Sequence, residues 1–324
     1  MKALPLVCAA VVALGGGTLA TAQPWPSKSI TLIVPFPAGG PTDTLTRILS
    51  EPMRRFLGQT VLVDNVTGAG GSIGVGRVVR AAPDGYTVSV GHWGTHVVNG
   101  AYYKLPYDLL KDLAPVGMFA DNPQVVVSNN GVPAKTMKEL VAWIKNKPDQ
   151  LRFGAGSLGG SSHMAAIYLM NRIGAKTEYI AYRGGAPAMA ALLSGEINLY
   201  LTQLASAVPQ IRPGKIRGYM VTSKNRQAAA PEIPAADEAG MPGFYTSVWH
   251  ALWVPKGTPQ DAINKLNAAM AEAVADAHVR TRFTDLGQEI PSGADLTPQA
   301  LAKHHKAEID KWFPIIREAG LKPQ

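Results

Sequence analysis

Short apolar runs rich in β-branched residues alternate along the chain with segments whose apolar positions return every three or four residues. The first pattern is that of buried strands and the second that of helices packed by one face. Together they predict an α/β fold with largely parallel sheets. Strands are expected over residues 30–34, 61–65, 86–90, 124–128, 151–154, 178–181, 197–201, 217–222 and 248–254. Helix signals fall between them. A helix over 42–57 is stopped by Gly58, and Thr136 with Glu139 has the capping-box spacing for one that ends before Pro148. Thr258, Pro259 and Asp261 open another, which carries Ile263, Leu266, Ala269, Met270 and Ala273 on one face. Thr297 and Pro298 open the last, which runs toward Gly320 with Pro314 as its bend point. No internal repeat is visible.

The N-terminal end breaks this pattern. Lys2 precedes an uncharged stretch from Ala3 to Ala20, broken by Gly15-Gly16-Gly17 and ending in Ala20-Thr21-Ala22. That is the grammar of a secretory signal peptide (residues 1–22) cleaved after Ala22, which marks the chain from Gln23 onward for export. The single cysteine, Cys8, falls inside the signal, so the mature chain is expected to hold no thiol, disulfide or cysteine metal site. Removing 22 residues from 324 leaves 302, too many for one ordinary core and suited to two lobes. Losing Lys2 takes the net charge from +8 to +7. The basic residues are scattered, with Arg54-Arg55 the only adjacent pair, so no nucleic-acid surface is indicated.

Chemistry is confined to loops. Three times a strand runs into a glycine-rich turn and then a helix whose first turn holds Pro, Ser or Thr: Pro35 to Asp43, Gly154 to His163, and Tyr182 to Pro187. Free amides and the positive end of a helix dipole make such a turn an anion seat, although each alone is equally a plain strand-to-helix connection. Gly154, Gly156 and Gly159 match a dinucleotide fingerprint, yet no acidic residue ends the following strand, where Arg183 stands. Gly70-Gly71-Ser72-Ile73-Gly74 matches a nucleophile elbow, which makes a secreted α/β serine hydrolase acting through Ser72 the alternative reading. His92 and His96 have a metal-pair spacing without an accompanying acid, and His304 and His305 read as a solvated helix face. No metal or other cofactor is expected.

A further set of motifs lies in fixed order: Ile33-Val34-Pro35-Phe36-Pro37-Ala38-Gly39-Gly40-Pro41-Thr42-Asp43, Gly68-Ala69-Gly70-Gly71-Ser72-Ile73-Gly74, Pro83-Asp84-Gly85-Tyr86-Thr87, Leu105-Pro106-Tyr107-Asp108 and Val254-Pro255-Lys256-Gly257-Thr258-Pro259. With these the whole mature chain resembles the solute receptors of tripartite tricarboxylate transporters, the Bug receptors. The resemblance implies a type II periplasmic-binding protein fold, two lobes joined by two crossing segments, near 121–123 and 243–247. Lobe I would comprise 23–122 and 247–324, and lobe II 123–246. It also implies a monomeric, non-enzymatic receptor that binds a small mono- or dicarboxylate and delivers it to membrane permease subunits. Phe36, Pro37, Ala38, Gly39 and Gly40, with Thr42 and Asp43, would seat one carboxylate. Ser157, Gly159, Ser161, Ser162, His163 and Gly184 would close on it from lobe II, and Arg183 would meet a second carboxylate. Where many relatives carry an Asp that pairs with an amino-acid ligand's ammonium, this chain has Thr202, so an amino acid is not the expected ligand. His92 and Trp93 could bring aromatic rings to the cleft, with lobe packing as the other role for Trp93.

Overall fold

A computed structural model describes residues 25–156 and 158–318. The expected cleavage after Ala22, Cys8 and the site residue Ser157 lie outside these residues. Two five-stranded sheets organise the chain. In the first the order is β2 (Val61–Asn65), β1 (Ile30–Val34), β3 (Thr87–His92), β10 (His250–Pro255), β4 (Leu113–Ala120). In the second it is β7 (Tyr179–Ala181), β6 (Phe153–Ala155), β8 (Leu199–Gln203), β5 (Gln124–Asn129), β9 (Ile216–Val221). The three leading strands of each list run parallel, whereas β10 and β5 are antiparallel to both neighbours. The expectation of largely parallel sheets is therefore corrected to mixed sheets. The antiparallel pairs arise where the chain leaves one sheet and enters the other.

Strand alternation explains the layering. In β1, Ile30, Leu32 and Val34 pack under α1 (Pro41–Leu57), α8 (Gln260–Ala275) and α9 (Ala277–Asp285), while Ile33 faces the opposite layer. That second layer is formed by α2 (Ser72–Val79), the turn Gly94–Val98, α3 (Asn99–Tyr102) and α10 (Pro298–Glu318). The five apolar residues predicted to share a face of α8 are all buried. In the second sheet, Leu199 and Leu201 of β8 pack beneath α4 (Met137–Asn146) and α5 (Ser161–Ile173). Tyr200 between them turns toward α6 (Gly185–Ser194) and α7 (Leu204–Ile211). Full burial of each such side chain contributes about 1.5–3 kcal/mol.

The chain passes between sheets over residues 121–123 and returns over 245–249, and the two passages are paired: Pro123 bridges Ser247, and Val248 N–H donates to the Asn122 carbonyl at 2.9 Å. A third segment joins them, with Asp121 and Glu289 exchanging backbone hydrogen bonds at 2.8 and 2.7 Å. The last helix serves both lobes. Trp312 of α10 meets Trp93 at 4.7 Å and Tyr168 of α5 at 5.4 Å, each edge-on.

This packing corrects two readings. Trp93 is 2% exposed and sits in the α10 interface, so its ring is core and not a cleft wall. His305 is buried, with Nε2 against the His96 carbonyl, and His304 lies edge-on to Trp249 at 4.9 Å, so this helix face is not solvated. His96 stacks on Trp253 at 3.7 Å while His92 stacks on Phe36 at 4.6 Å, so the two rings serve different contacts. No cluster of three metal-ligating side chains occurs among the described residues.

Candidate functional site

The first loop carries the chain from β1 into α1. Gly39 has φ +79°, a conformation that side chains resist, and Gly40 then caps the helix with φ −73° and ψ 169°. Pro41 follows at the first helical position, where its missing N–H costs nothing. Asp43 braces the turn: its carboxylate accepts from Gly39 N–H at 2.8 Å, Arg47 Nε at 2.9 Å and Asn65 Nδ2 at 2.9 Å. Asn65 also donates to the Phe36 carbonyl at 2.9 Å, tying β2 to the loop. Burial alone would raise the Asp43 carboxyl, but the bonds from Arg47, Gly39 and Asn65 outweigh it and hold the group below its ordinary value. Asp43 was expected to seat a carboxylate. It is instead 2% exposed, ionised and already bonded, a group that would repel an anion.

Behind the loop Thr42 Oγ1 lies 3.1 Å from His250 Nε2. Burial drives His250 well below its ordinary value, so it is neutral. Burial also lowers His92 to about 4, and its Nδ1 accepts from Gly94 N–H at 2.8 Å. His92 therefore supports Phe36 as a neutral stacking partner.

The second loop, from β6 into α5, repeats the geometry. Gly159 has φ +74°, and Gly160 caps α5 with φ −77° and ψ 171°. Here the brace is His163, whose Nδ1 accepts from Gly159 N–H at 3.0 Å. Its ring lies edge-on to Tyr179 at 4.8 Å, and burial lowers its pKa to about 4. Ser162 Oγ accepts from Gly156 N–H at 2.8 Å, which leaves Gly156 folded tightly against the helix start. The third loop docks on the second, since Gly184 N–H donates to the Gly156 carbonyl at 2.6 Å.

These turns meet at one cavity of ~590 Å³. Pro41 opens α1 there, Ser161 and Ser162 open α5, and Gly184 to Ala186 open α6. Thr202 also lines it, with Oγ1 3.1 Å from Ser206 Oγ. Helix-start amides have no intrahelical partner, so the α5 and α6 starts bring N–H groups to this space, whereas of the first loop only Pro41, which has no N–H, lines it. Phe36, Pro37, Ala38, Gly39, Gly40, Thr42, Asp43, His92, Gly159 and His163 do not line it. Arg183 is not part of the wall. Gly184, at φ +126°, turns the backbone toward the cavity while the Arg183 side chain stays exposed.

Six wall residues escaped sequence reasoning: Met189, Ala190, Leu193, Tyr200, Gln203 and Ser206. The signal for Tyr200 was present, because alternation on β8 puts it on the face of Thr202. A Cβ added at Gly156 would meet the Tyr200 hydroxyl at 3.1 Å, so glycine is what admits this phenol to the turn. Ser72, the alternative nucleophile, opens α2 outside this cavity and donates its hydroxyl to the Ala69 carbonyl at 2.8 Å.

Comparison with known proteins decides what this architecture belongs to. The sequence pattern of the tripartite tricarboxylate transporter family receptors matches residues 45–321. The chain belongs to that family. It is a binding receptor of the Bug type, not an enzyme. A protein of Agrobacterium vitis, a UPF0065 protein in the TAR-I ttuE-ttuC' intergenic region, is 37% identical, covering 93% of this chain and 89% of that one. Among solved structures, the periplasmic binding protein BugD is 35% identical with a TM-score of 0.79, covering 93% of this chain and all (100%) of BugD. MatC of Rhodopseudomonas palustris with bound malate has the same identity, 35%, and TM-score, 0.79, over 90% of this chain and 100% of MatC. Rpa4515 of R. palustris with adipate is 30% identical with a TM-score of 0.81, over 93% of this chain and 100% of that one. The two-lobed α/β periplasmic-binding fold is thus shared across the family.

Proposed function

We propose that this receptor is exported to the periplasm by cleavage after Ala22, captures a small carboxylate between its lobes as a monomer, and delivers it to the membrane permease of a tripartite tricarboxylate transporter. The observation that carries this reading is the convergence of the α1, α5 and α6 starts on one uncharged cavity. Each helix terminus contributes about 0.3–1 kcal/mol to holding an anion, and up to ~2 kcal/mol when partly buried. Lobe closure removes competing water, which strengthens every amide bond to the ligand. Asp43, His163 and Ser162, the side chains beside these amides, are engaged in bracing the turns. Release needs only reopening, since no bond to the ligand is covalent.

MatC and Rpa4515, family members holding malate and adipate, support a carboxylate as the ligand class. The test is a thermal-shift panel of carboxylates and matched uncharged amides on the mature chain. A carboxylate at about a hundred times its dissociation constant should add ~2.7 kcal/mol of stability. Stabilisation by the amides but not by any acid would refute the reading.

A further inference from the structure

We infer that the ligand is an amphipathic monocarboxylate, with its anionic head at the helix starts and an uncharged, apolar body lying along α6. This rests on the carboxylate-receptor reading above and narrows it to a substrate class. The sequence of α6, Gly-Ala-Pro-Ala-Met-Ala-Ala-Leu-Leu-Ser, contains no charged residue. One side, with Ala188, Ala191 and Leu192, is buried against the second sheet. The other side would ordinarily carry charge in a surface helix. Here it presents Ala186, Ala190 and Leu193, and Leu193 is 41% exposed.

That unpartnered side is a wall of the cavity. Ala186, Ala190 and Leu193 line it together with Met189, which is otherwise buried in the lobe core, and their spacing of i, i+3, i+4 and i+7 forms one continuous stripe. The stripe begins in the first turn of α6, where the amides converge, and extends about 10 Å along the axis at 1.5 Å per residue. The wall also holds the polar, uncharged side chains of Thr202, Gln203 and Ser206. Among the described residues no Lys, Arg or His side chain lines the space.

An anion at the far end of such a ligand would approach the last turn of α6, where the helix dipole is negative, without a cation to meet it. An alkyl or aryl body instead covers apolar surface that is otherwise wet. Continuity of the stripe with the amide cluster favours the ligand as its occupant over a protein partner.

The experiment measures dissociation constants by calorimetry on the mature chain. The probes are the series propanoate to hexanoate, the diacid adipate, and the aryl pair benzoate and terephthalate. Affinity should rise roughly fourfold per methylene along the monoacids. Hexanoate should bind about tenfold tighter than adipate, and benzoate tighter than terephthalate. Leu193→Asn should flatten the chain-length dependence, and Leu193→Lys should move the preference toward the diacids. Unliganded melting curves of both variants check that the exposed position leaves folding intact. A flat series, or adipate binding as tightly as hexanoate, overturns the inference while leaving the carboxylate receptor standing. Unchanged affinities in Leu193→Asn would overturn it too and assign the stripe to a protein partner. If no acid of either series binds, the carboxylate assignment itself falls and takes the inference with it.

Discussion

The loops at Gly39-Gly40-Pro41-Thr42-Asp43 and Gly159-Gly160-Ser161-Ser162-His163 solve one problem with different chemistry. Both place a left-handed glycine, then an extended glycine cap, then a helix start at the cavity, and in both the third helical residue accepts a hydrogen bond from the first glycine. In lobe I that acceptor is an ionised carboxylate held by Arg47 and Asn65. In lobe II it is a neutral imidazole set against Tyr179. In the proposed reading the amides, which the two loops share, hold the ligand, and the braces are free to differ. Their difference also makes the lobes respond unequally to substitution and to acid.

The largest expected effect is at Asp43. Asp43→Ala leaves a backbone amide and parts of Arg47 and Asn65 without an acceptor, at a cost of roughly 3 kcal/mol in urea unfolding. His163→Ala removes one neutral acceptor and should cost about half as much. Equal losses would show that the two braces are equivalent.

The glycines come next. At Gly39 an added Cβ meets nothing within 4 Å, so Gly39→Ala should cost only the left-handed strain, about 1–2 kcal/mol. At Gly159 the same Cβ lies 3.0 Å from the Tyr102 ring of the opposite lobe. Gly159→Ala should therefore also weaken ligand binding by obstructing closure, and Tyr102→Ala should restore affinity in the double variant. Binding loss of the same size at Gly39 would remove this asymmetry.

Acid should separate the braces further. Imidazole burial lowers His163 to about 4 from an ordinary 6.5, so the unfolded chain takes up the proton first. This contribution to stability is complete above about pH 6.5 and is lost as pH falls toward 4. Buried His92 and His305, also lowered to about 4, act in the same direction. Asp43, held below 3.8, keeps its contribution until the pH is lower still. Asp121 opposes the histidines: burial raises it to about 6, so its contribution is present below 3.8 and is lost as pH rises through 6. Urea unfolding from pH 7 to 4 should show falling stability, with a shallower slope in His163→Gln and an unchanged slope in Asp43→Asn. The smallest expected effect is at Arg183, whose replacement by Ala should leave the affinities for hexanoate and adipate within about twofold of wild type, as surface charges outside a site usually do.

Much of the fold was legible because buried strands and glycine punctuation are local signals. Eight of the nine expected strands overlap observed ones by at least three residues, and the 151–154 strand by two. β4 was missed because Pro115 and Gly117 break its pattern, which an edge strand tolerates. Strand direction in β5 and β10 depends on where the chain crosses between sheets, which no local pattern encodes. The three anion-seat loops were readable from glycine followed by a helix start. Side-chain destinations were not: Arg183 stays exposed, Trp93 is claimed by α10, and Tyr200 enters the wall from a strand position that looked like core. The shared design of the two loops was legible too, but not their braces, because Asp43 and His163 are different residue types in the same role.

The most direct measurement is the amide spectrum of the ¹⁵N-labelled mature protein titrated with hexanoate. Backbone amides at Thr42, Asp43, Ser161, Ser162, Gly185 and Ala186 should shift together and saturate at one ligand per chain, while arginine and lysine side-chain signals stay in place. Saturable binding that leaves those six amides unmoved and shifts a cationic side chain instead would contradict capture by helix starts.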